Sequence, residues 1–122
     1  MLVDTSATLL MYGMGEKSIL ECVRWVEDGM PQERFPEIRG VCYLAKTPPK
    51  GVEMLPSHAD IAADKKMYAK AFLQEYNHQD PVRGRALCQM QDANRYLVQN
   101  PPVMPLSAEE LDEVYALPYT RQ

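Results

Sequence analysis

The stretch ATLLMYGMGEKSILECVRWVEDG, residues 7–29, decides the fold class that we predict for this chain of 122 residues. Its first six residues form an apolar run with the length and composition of a buried strand. The GMGE turn (residues 13–16) follows, and residues 17–28 then have the pattern of an amphipathic helix. Residues 38–45, IRGVCYLA, predict a second strand. Strand, glycine turn, helix and strand in this order are typical of a βαβ unit, so we predict an α/β fold with a parallel or mixed sheet.

The predicted helix at residues 17–28 has an apolar side and a charged side. The apolar side, a stripe of the kind that packs on a core, consists of Ile19, Leu20, Cys22, Val23 and Val26. Trp25 lies at the border of this stripe. Gly29 and Pro31 end the helix, because both residues disfavour its continuation.

The rest of the sequence predicts elements of both kinds, so the α/β class has a mixed α+β character. Residues 57–79 predict one long helix that begins with Ser57 as its cap. Residues 86–91 and 95–99 predict a β-hairpin with a three-residue loop. Ser107 with Glu110 forms a capping box for a short helix inside a proline-rich, extended C-terminal segment.

The composition argues against several classes of partner. The net charge is -4, which gives no electrostatic reason to expect a nucleic-acid or anionic-membrane partner. No apolar run approaches the roughly 20 residues that a membrane-spanning helix needs. Three cysteines without a CxxC pair argue against a zinc or iron–sulfur site in this chain. Free thiols without a secretory signal indicate a cytoplasmic protein.

The GMGE turn is the first of two candidates for a site. Gly13, Gly15 and Glu16 sit between a strand and a helix, where free backbone N–H groups can bind a ligand. The alternative is a tight turn in which Glu16 stabilises the helix dipole. His58 and His78 fall at opposite ends of one predicted helix, roughly 30 Å apart at 1.5 Å per residue, so they cannot share a metal. We therefore predict no catalytic and no metal-binding residue.

The C-terminal segment (residues 99–121) is the second unusual feature. It is stiffened by prolines and largely uncharged at both ends, so it is suited either to docking on another surface or to serving as a surface linker. The candidate docking residues are Gln99, Asn100, Pro101, Pro102, Leu117, Pro118, Tyr119 and Arg121.

The same segment carries a family resemblance. LVQNPPVMPLSAEELDEVYALPYTR, residues 97–121, closely resembles a stretch of the YgiQ family of radical SAM proteins, Fe–S oxidoreductases of unknown function. The similarity extends over most of the chain, through LVDTSATLLMYGMGEKSILECV, IRGVCYLA, DKKMYAKAF and DPVRGRALCQ in the same order.

The resemblance implies a position within a larger enzyme. In that family this segment lies between a flavodoxin-like, cobalamin-binding-like region and a radical SAM barrel. The barrel's CxxxCxxC motif holds a [4Fe–4S] cluster whose open iron binds S-adenosylmethionine. Cys22, Cys42 and Cys88 do not match that motif. Residues 1–45 then correspond to the end of the flavodoxin-like domain and residues 46–122 to a connector, together forming one compact unit.

The expected function follows from this position. We predict a non-catalytic fragment that serves as structural connector to the cluster-binding barrel, with the missing domains of the parent chain as its partners. The alternative is an autonomous small-molecule binding module that uses the GMGE turn. Uncovered sheet edges also make a homo-oligomer of the isolated chain a possible outcome.

Overall fold

The computed structural model describes residues 1–120 of the chain. One five-stranded mixed sheet has the order β1-β2-β5-β4-β3, in which β3 and β4 are parallel and the other neighbours antiparallel. Its strands are β1 (Leu9–Met11), β2 (Val41–Ala45), β3 (Glu53–Met54), β4 (Leu87–Asp92) and β5 (Arg95–Gln99). The helices are α1 (Leu2–Thr5), α2 (Glu16–Glu27), α3 (His58–Ala63), α4 (Lys65–Asn77) and α5 (Ala108–Tyr115). The predicted mixed α/β class is confirmed. The pairing of β2 with β5 places residues from both sides of position 45, the predicted domain boundary, in one sheet.

The predicted βαβ unit is corrected, because β1 and β2 are antiparallel neighbours. A parallel pair would need α2 to carry the chain to the opposite end of the sheet. A 3₁₀ helix at Gln32–Glu37, which the sequence did not predict, instead belongs to a segment that returns the chain to the end of β1. Met11 pairs with Val41, and the backbone N–H of Tyr12 donates to the carbonyl of Gly40 at 2.9 Å. The strand–helix–strand order was right and the strand direction wrong.

The predicted long helix is two helices. Ser57 caps α3 as expected, and its hydroxyl accepts the backbone N–H of Asp60 at 3.1 Å. Asp64 then adopts an extended conformation and caps α4, since its carboxylate accepts the N–H of Lys66 at 2.8 Å. An aspartate that satisfies a free N–H group stabilises a new helix start, which explains the break inside a helical pattern.

The predicted hairpin is present with a shorter turn. Asp92 pairs with Arg95, so two residues connect β4 and β5, and a register shift lies between Met90 and Asp92. The capping box of α5 is also confirmed: the hydroxyl of Ser107 accepts the N–H of Glu110 at 3.2 Å, and Glu110 accepts the N–H of Ser107 at 2.7 Å. Local turn and cap signals therefore located these elements to within a residue or two.

The core lies on the sheet face that α2 and the 3₁₀ helix cover. Trp25, Phe35 and Tyr43 stack as a series of tilted rings, with centroids 5.1 and 5.2 Å apart. Val41 and Val98 lie beneath the rings with no exposed surface. The indole N–H of Trp25 donates to the carbonyl of Pro31 at 2.9 Å, which satisfies its polar group inside the core.

Helix α2 faces the core with a different side from the one expected. Trp25 and Ser18 are only 5% and 0% exposed, whereas the predicted apolar stripe is largely turned to solvent. Four of its members are each between 47% and 59% exposed: Ile19, Leu20, Val23 and Val26. We call these four residues the outward face of α2. One indole contributes more buried area than one aliphatic side chain, so Trp25 determines the orientation.

Candidate docking site

The C-terminal segment begins inside the fold. Asn100, directly after β5, is 2% exposed, and its side-chain amide donates to the carbonyls of Phe35 at 2.6 Å and Ile38 at 2.7 Å. Its backbone N–H donates to Val41 at 3.0 Å, and its carbonyl accepts the hydroxyl of Tyr12. A buried amide with this many partners fixes the position of the chain that follows it.

Two neighbouring residues extend this anchor. The backbone N–H of Gly40 donates to the carbonyl of Pro101 at 2.9 Å, and Nε of Arg39 donates to that of Pro102 at 2.9 Å. The Arg39 guanidinium also donates to the carbonyl of Pro81. Because prolines have no N–H group, these carbonyls are the groups through which an X-Pro-Pro stretch can be held. We call residues 99–103 the anchor.

The predicted docking residues therefore have two different environments. Asn100 is buried in the anchor, and Gln99 pairs with Cys42 and Leu87 in the sheet. Leu117 and Tyr119 are 54% and 55% exposed. We call residues 117–119 the exposed end. Arg121 lies outside the described residues. The segment therefore has a fixed start and an accessible end. Docking through residues 117–119 remains a prediction.

Helix α5 connects the anchor to the exposed end and lies against α2. Nζ of Lys17 on α2 is 2.8 Å from Oε2 of Glu110 on α5. This hydrogen bond, helped by the backbone N–H of Ser107, holds the pKa of Glu110 below its usual range. An apolar groove of about 480 Å³ runs between the helices and is lined mainly by Ile19, Leu20, Leu106, Val114, Leu117 and Tyr119.

The cap of α5 gives a first testable prediction. Replacing Ser107 by alanine removes the acceptor for the N–H of Glu110, which costs about 1 kcal/mol for a typical cap. We expect amide hydrogen exchange in α5 to accelerate about fivefold, because local opening becomes easier by that amount. Ser57→Ala removes the matching cap of α3 and is the control. Equal exchange in α5 for both variants would contradict the prediction.

The GMGE turn forms a second groove with the chain that follows the anchor. Gly13 and Gly15 have φ angles of 79° and 85°, and Gly15 is the N-cap of α2. The groove measures about 390 Å³, and its lining includes Gly13, Gly15, Glu16, Val103, Met104, Pro105 and Leu111. Most of these side chains are apolar, and the Glu16 carboxylate disfavours an anion at the helix start. Ligand binding by Gly13, Gly15 and Glu16 stays a prediction.

Comparison of the sequence with known proteins identifies the family of this chain. A family model described as Radical SAM N-terminal matches residues 1–122, which is the whole chain. The chain belongs to this family. A similar protein is a UPF0313 protein of Clostridium perfringens (strain SM101 / Type A), 46% identical over 123 residues that cover 98% of this chain and 18% of that protein. A UPF0313 protein of Clostridium botulinum (strain 657 / Type Ba4) is 45% identical over 122 residues, covering 98% of this chain and 19% of that protein.

The relatives also confirm the resemblance that the sequence motifs carry, because UPF0313 is the YgiQ-like radical SAM family. The chain spans only 18–19% of the length of these curated relatives. No solved structure gives a significant match to it.

The cysteines of this radical SAM N-terminal domain do not fit a [4Fe–4S] cluster. Cys42 and Tyr43 are adjacent in β2, and Tyr43 shares a row across the sheet with Val98 and Cys88. Cys42 and Cys88 therefore point to opposite faces of the sheet, while Cys22 lies on α2. Within residues 1–120, no group of three or more His, Cys, Asp or Glu residues is placed to hold a metal ion. The residues that the structure describes offer no ligand set for the cluster that the family implies.

The histidines have separate environments. Nδ1 of His78 accepts the backbone N–H of Arg85 at 3.2 Å and so helps to shape the loop after α4. His58 lines a surface hollow together with Cys42 and Asp4. Burial raises the pKa of Cys42 to about 11, so its thiol keeps its proton at neutral pH and is a poor nucleophile. None of the helices in the described part of the chain is long and apolar enough to span a membrane.

Burial of three acidic groups predicts sensitivity to alkali. Burial raises the pKa of Cys42 to about 11, and that of Tyr12 and Tyr43 to about 12. Each group holds its proton more tightly when folded, so the stability it contributes is fully present below about pH 9 and is lost as pH rises toward 12. We expect a constant Tm up to about pH 9 and a progressive fall above it, followed by circular dichroism.

Tyr43 provides the variant that checks this cause. Its hydroxyl is buried, and no hydrogen-bond partner for it exists within the described residues. Tyr43→Phe should therefore keep or raise the Tm at pH 7 and reduce the alkaline fall. An unchanged alkaline profile in this variant would exclude Tyr43 as a contributor.

Proposed function

We propose that this domain is a non-catalytic connector that positions a radical SAM barrel within a longer protein. The family match and relatives about five times longer than this chain support a neighbouring barrel. The barrel would hold the [4Fe–4S] cluster and S-adenosylmethionine, which supply the radical chemistry of such enzymes. The three cysteines here are free of disulfides, in keeping with a reducing cytoplasm.

The observation that carries the proposal is the combination of anchor and exposed end. Asn100, Arg39 and Gly40 hold residues 99–103 against the core, while Leu117 and Tyr119 present more than half of their surface to solvent. Helix α5 lies between them, and the Lys17–Glu110 ion pair joins its first turn to α2. A docking segment that is already ordered loses little entropy when it binds.

The test uses the full-length protein and a variant of the exposed end. Leu117→Ser together with Tyr119→Ser should leave the Tm of the 122-residue chain unchanged, because both side chains are largely exposed. In the full-length protein it should accelerate proteolytic separation of domain and barrel. Val82→Ser changes another exposed apolar residue, 74% accessible, and is the control. Equal cleavage rates in both variants would contradict the connector role.

A second measurement tests whether the domain itself binds an iron–sulfur cluster. After anaerobic incubation with iron and sulfide, the 122-residue chain should remain colourless and bind no stoichiometric iron. A brown sample with the visible absorption of a [4Fe–4S] cluster would overturn the proposal.

The groove at the GMGE turn supports a second candidate, a small-molecule binding module. Cobalamin, nucleotides and S-adenosylmethionine are suitable probes in a thermal-shift measurement on the 122-residue chain. A Tm rise that Met104→Lys in the groove abolishes would favour this function over the connector. An unchanged Tm with all probes would count against it.

A further inference from the structure

The apolar side chains of α2 cover more of the helix circumference than the contact with the core uses. Trp25 and Ser18 face the core, while the outward face of Ile19, Leu20, Val23 and Val26 is about half exposed. At 100° per residue, the outward face continues the apolar arc that begins at Trp25 and Cys22. The remaining side of the helix is charged and carries Lys17, Glu21 and Arg24. A surface helix normally turns its apolar stripe to the core and polar residues to solvent, so an apolar arc that continues beyond the core contact leaves apolar area uncovered. The outward face therefore has the composition of an interface.

The outward face is continuous with the proposed docking site. Ile19 and Leu20 line the α2–α5 groove together with Leu117 and Tyr119 of the exposed end. Val23 and Val26 extend the apolar surface along α2, away from that groove. A partner that binds the exposed end can therefore cover all of the outward face without a break.

We infer that the outward face of α2 packs against the radical SAM barrel of the longer protein. The inference rests on the proposed connector function and adds the surface on which the barrel sits. About four fifths of the length of the curated relatives lies outside the region that they share with this chain. That part of a longer protein is large enough to cover the outward face of α2.

The charges around the outward face define the chemistry of the partner surface. Glu16 and Glu113 line the groove, and Glu27 follows Val26 at the far end of the stripe. Lys17 is already paired with Glu110. The barrel surface that fits is thus apolar at its centre with lysine or arginine at its rim, as interfaces with complementary potential require.

A second copy of this chain is a poorer occupant. Two outward faces brought together would oppose their acidic rims, which is unfavourable. Helix α4 has an exposed aromatic side, beside lysines, that carries Tyr68, Phe72 and Tyr76. This side of one copy could contact the outward face of another copy only in a head-to-tail arrangement. That contact is heterologous and continues from copy to copy unless it closes into a ring.

The experiment compares side-chain labelling of α2 in two forms of the protein. A photoactivated carbene reagent modifies accessible aliphatic side chains, and mass spectrometry locates the modification. In the full-length protein, labelling at Val23 and Val26 should be about tenfold lower than in the 122-residue chain, the ratio expected when the docked state is favoured about tenfold over the undocked one. Labelling at Val82 should be the same in both and serves as the internal control.

A variant completes the test. Val23→Glu with Val26→Glu changes residues outside the groove and should leave the Tm of the 122-residue chain unchanged. In the full-length protein it should restore labelling of Ile19 and Leu20 to the level of the isolated chain. Equal labelling of α2 in the two unmodified forms would overturn the inference. Protection of α2 in the isolated chain that grows with concentration would overturn it in favour of a second copy.

The two proposals fail in different ways. If the Leu117→Ser/Tyr119→Ser variant releases the barrel while α2 is labelled equally in both forms, the connector role stands and the outward face is not its surface. If neither variant changes cleavage or labelling, the connector role itself fails.

Discussion

Replacing Asn100 by leucine is expected to lower the free energy of unfolding by about 3 kcal/mol, although the two side chains are similar in size. The amide of Asn100 donates to the carbonyls of Phe35 and Ile38 from a position that is 2% exposed. Leucine leaves these carbonyls without their donors, and a buried unsatisfied polar group costs about 1–3 kcal/mol. Urea denaturation followed by tryptophan fluorescence measures the loss, because Trp25 is the single tryptophan and lies in the core.

A matched control separates the buried amide from the change of residue type. Asn77 is exposed at the end of α4, so Asn77→Leu should change the free energy of unfolding by less than about 0.5 kcal/mol. If Asn100→Leu is as mild as Asn77→Leu, the hydrogen bonds of the anchor contribute nothing to stability.

Gly40→Ala is expected to have an effect of similar size for a steric reason. Gly40 has a φ angle of +71°, and a Cβ atom there would lie 2.5 Å from Cγ2 of Val103 and 2.6 Å from Oγ of Ser18. The left-handed conformation costs alanine about 1 kcal/mol, and overpacking typically adds about 1–3 kcal/mol. We expect urea denaturation to show a loss of about 3 kcal/mol in the free energy of unfolding.

Two further variants divide this loss into its parts. Gly51 has a φ angle of +77° with nothing within 4 Å of a Cβ position, so Gly51→Ala should show the conformational cost alone, about 1 kcal/mol. Adding Val103→Ala to Gly40→Ala should recover part of the packing cost, because the two positions are in contact. Equal effects at Gly40 and Gly51 would show that Val103 and Ser18 move aside freely.

Local signals in the sequence predicted the elements whose stability is local. The serines at positions 57 and 107 and the turn between β4 and β5 act within a few residues, and all three appear near their expected places. Asp64 carried a cap signal as well, but it lay inside a helical pattern that favoured continuation. The competition between a cap and a continuing helix is decided by about 1 kcal/mol, which a pattern does not resolve.

Features that depend on distant residues were not predictable in this way. The direction of β2 depends on how residues 28–40 return along α2, and no spacing in the sequence encodes that path. The orientation of α2 was misjudged because its apolar arc is wider than the contact with the core, so periodicity favoured the aliphatic residues at the centre of the arc over Trp25 at its border. The partners of Asn100 are carbonyl groups that precede it by 62 and 65 residues, and any residue type offers a carbonyl.

The antiparallel pairing of β1 and β2 has a consequence for how the domain can change during evolution. Tyr12 and Gly40 close the segment between them with one hydrogen bond at a single end of the sheet, so α2 is an elaboration of what is topologically a hairpin loop. Surface loops tolerate insertions and deletions at low entropic cost. Residues can therefore be gained or lost at exposed points of this segment, such as Gly29 and Met30, without shifting the strand register, while Trp25, Phe35 and Ile38 keep their places in the core. The outward face of α2 can be remodelled to suit a different neighbour while the core and the sheet stay the same.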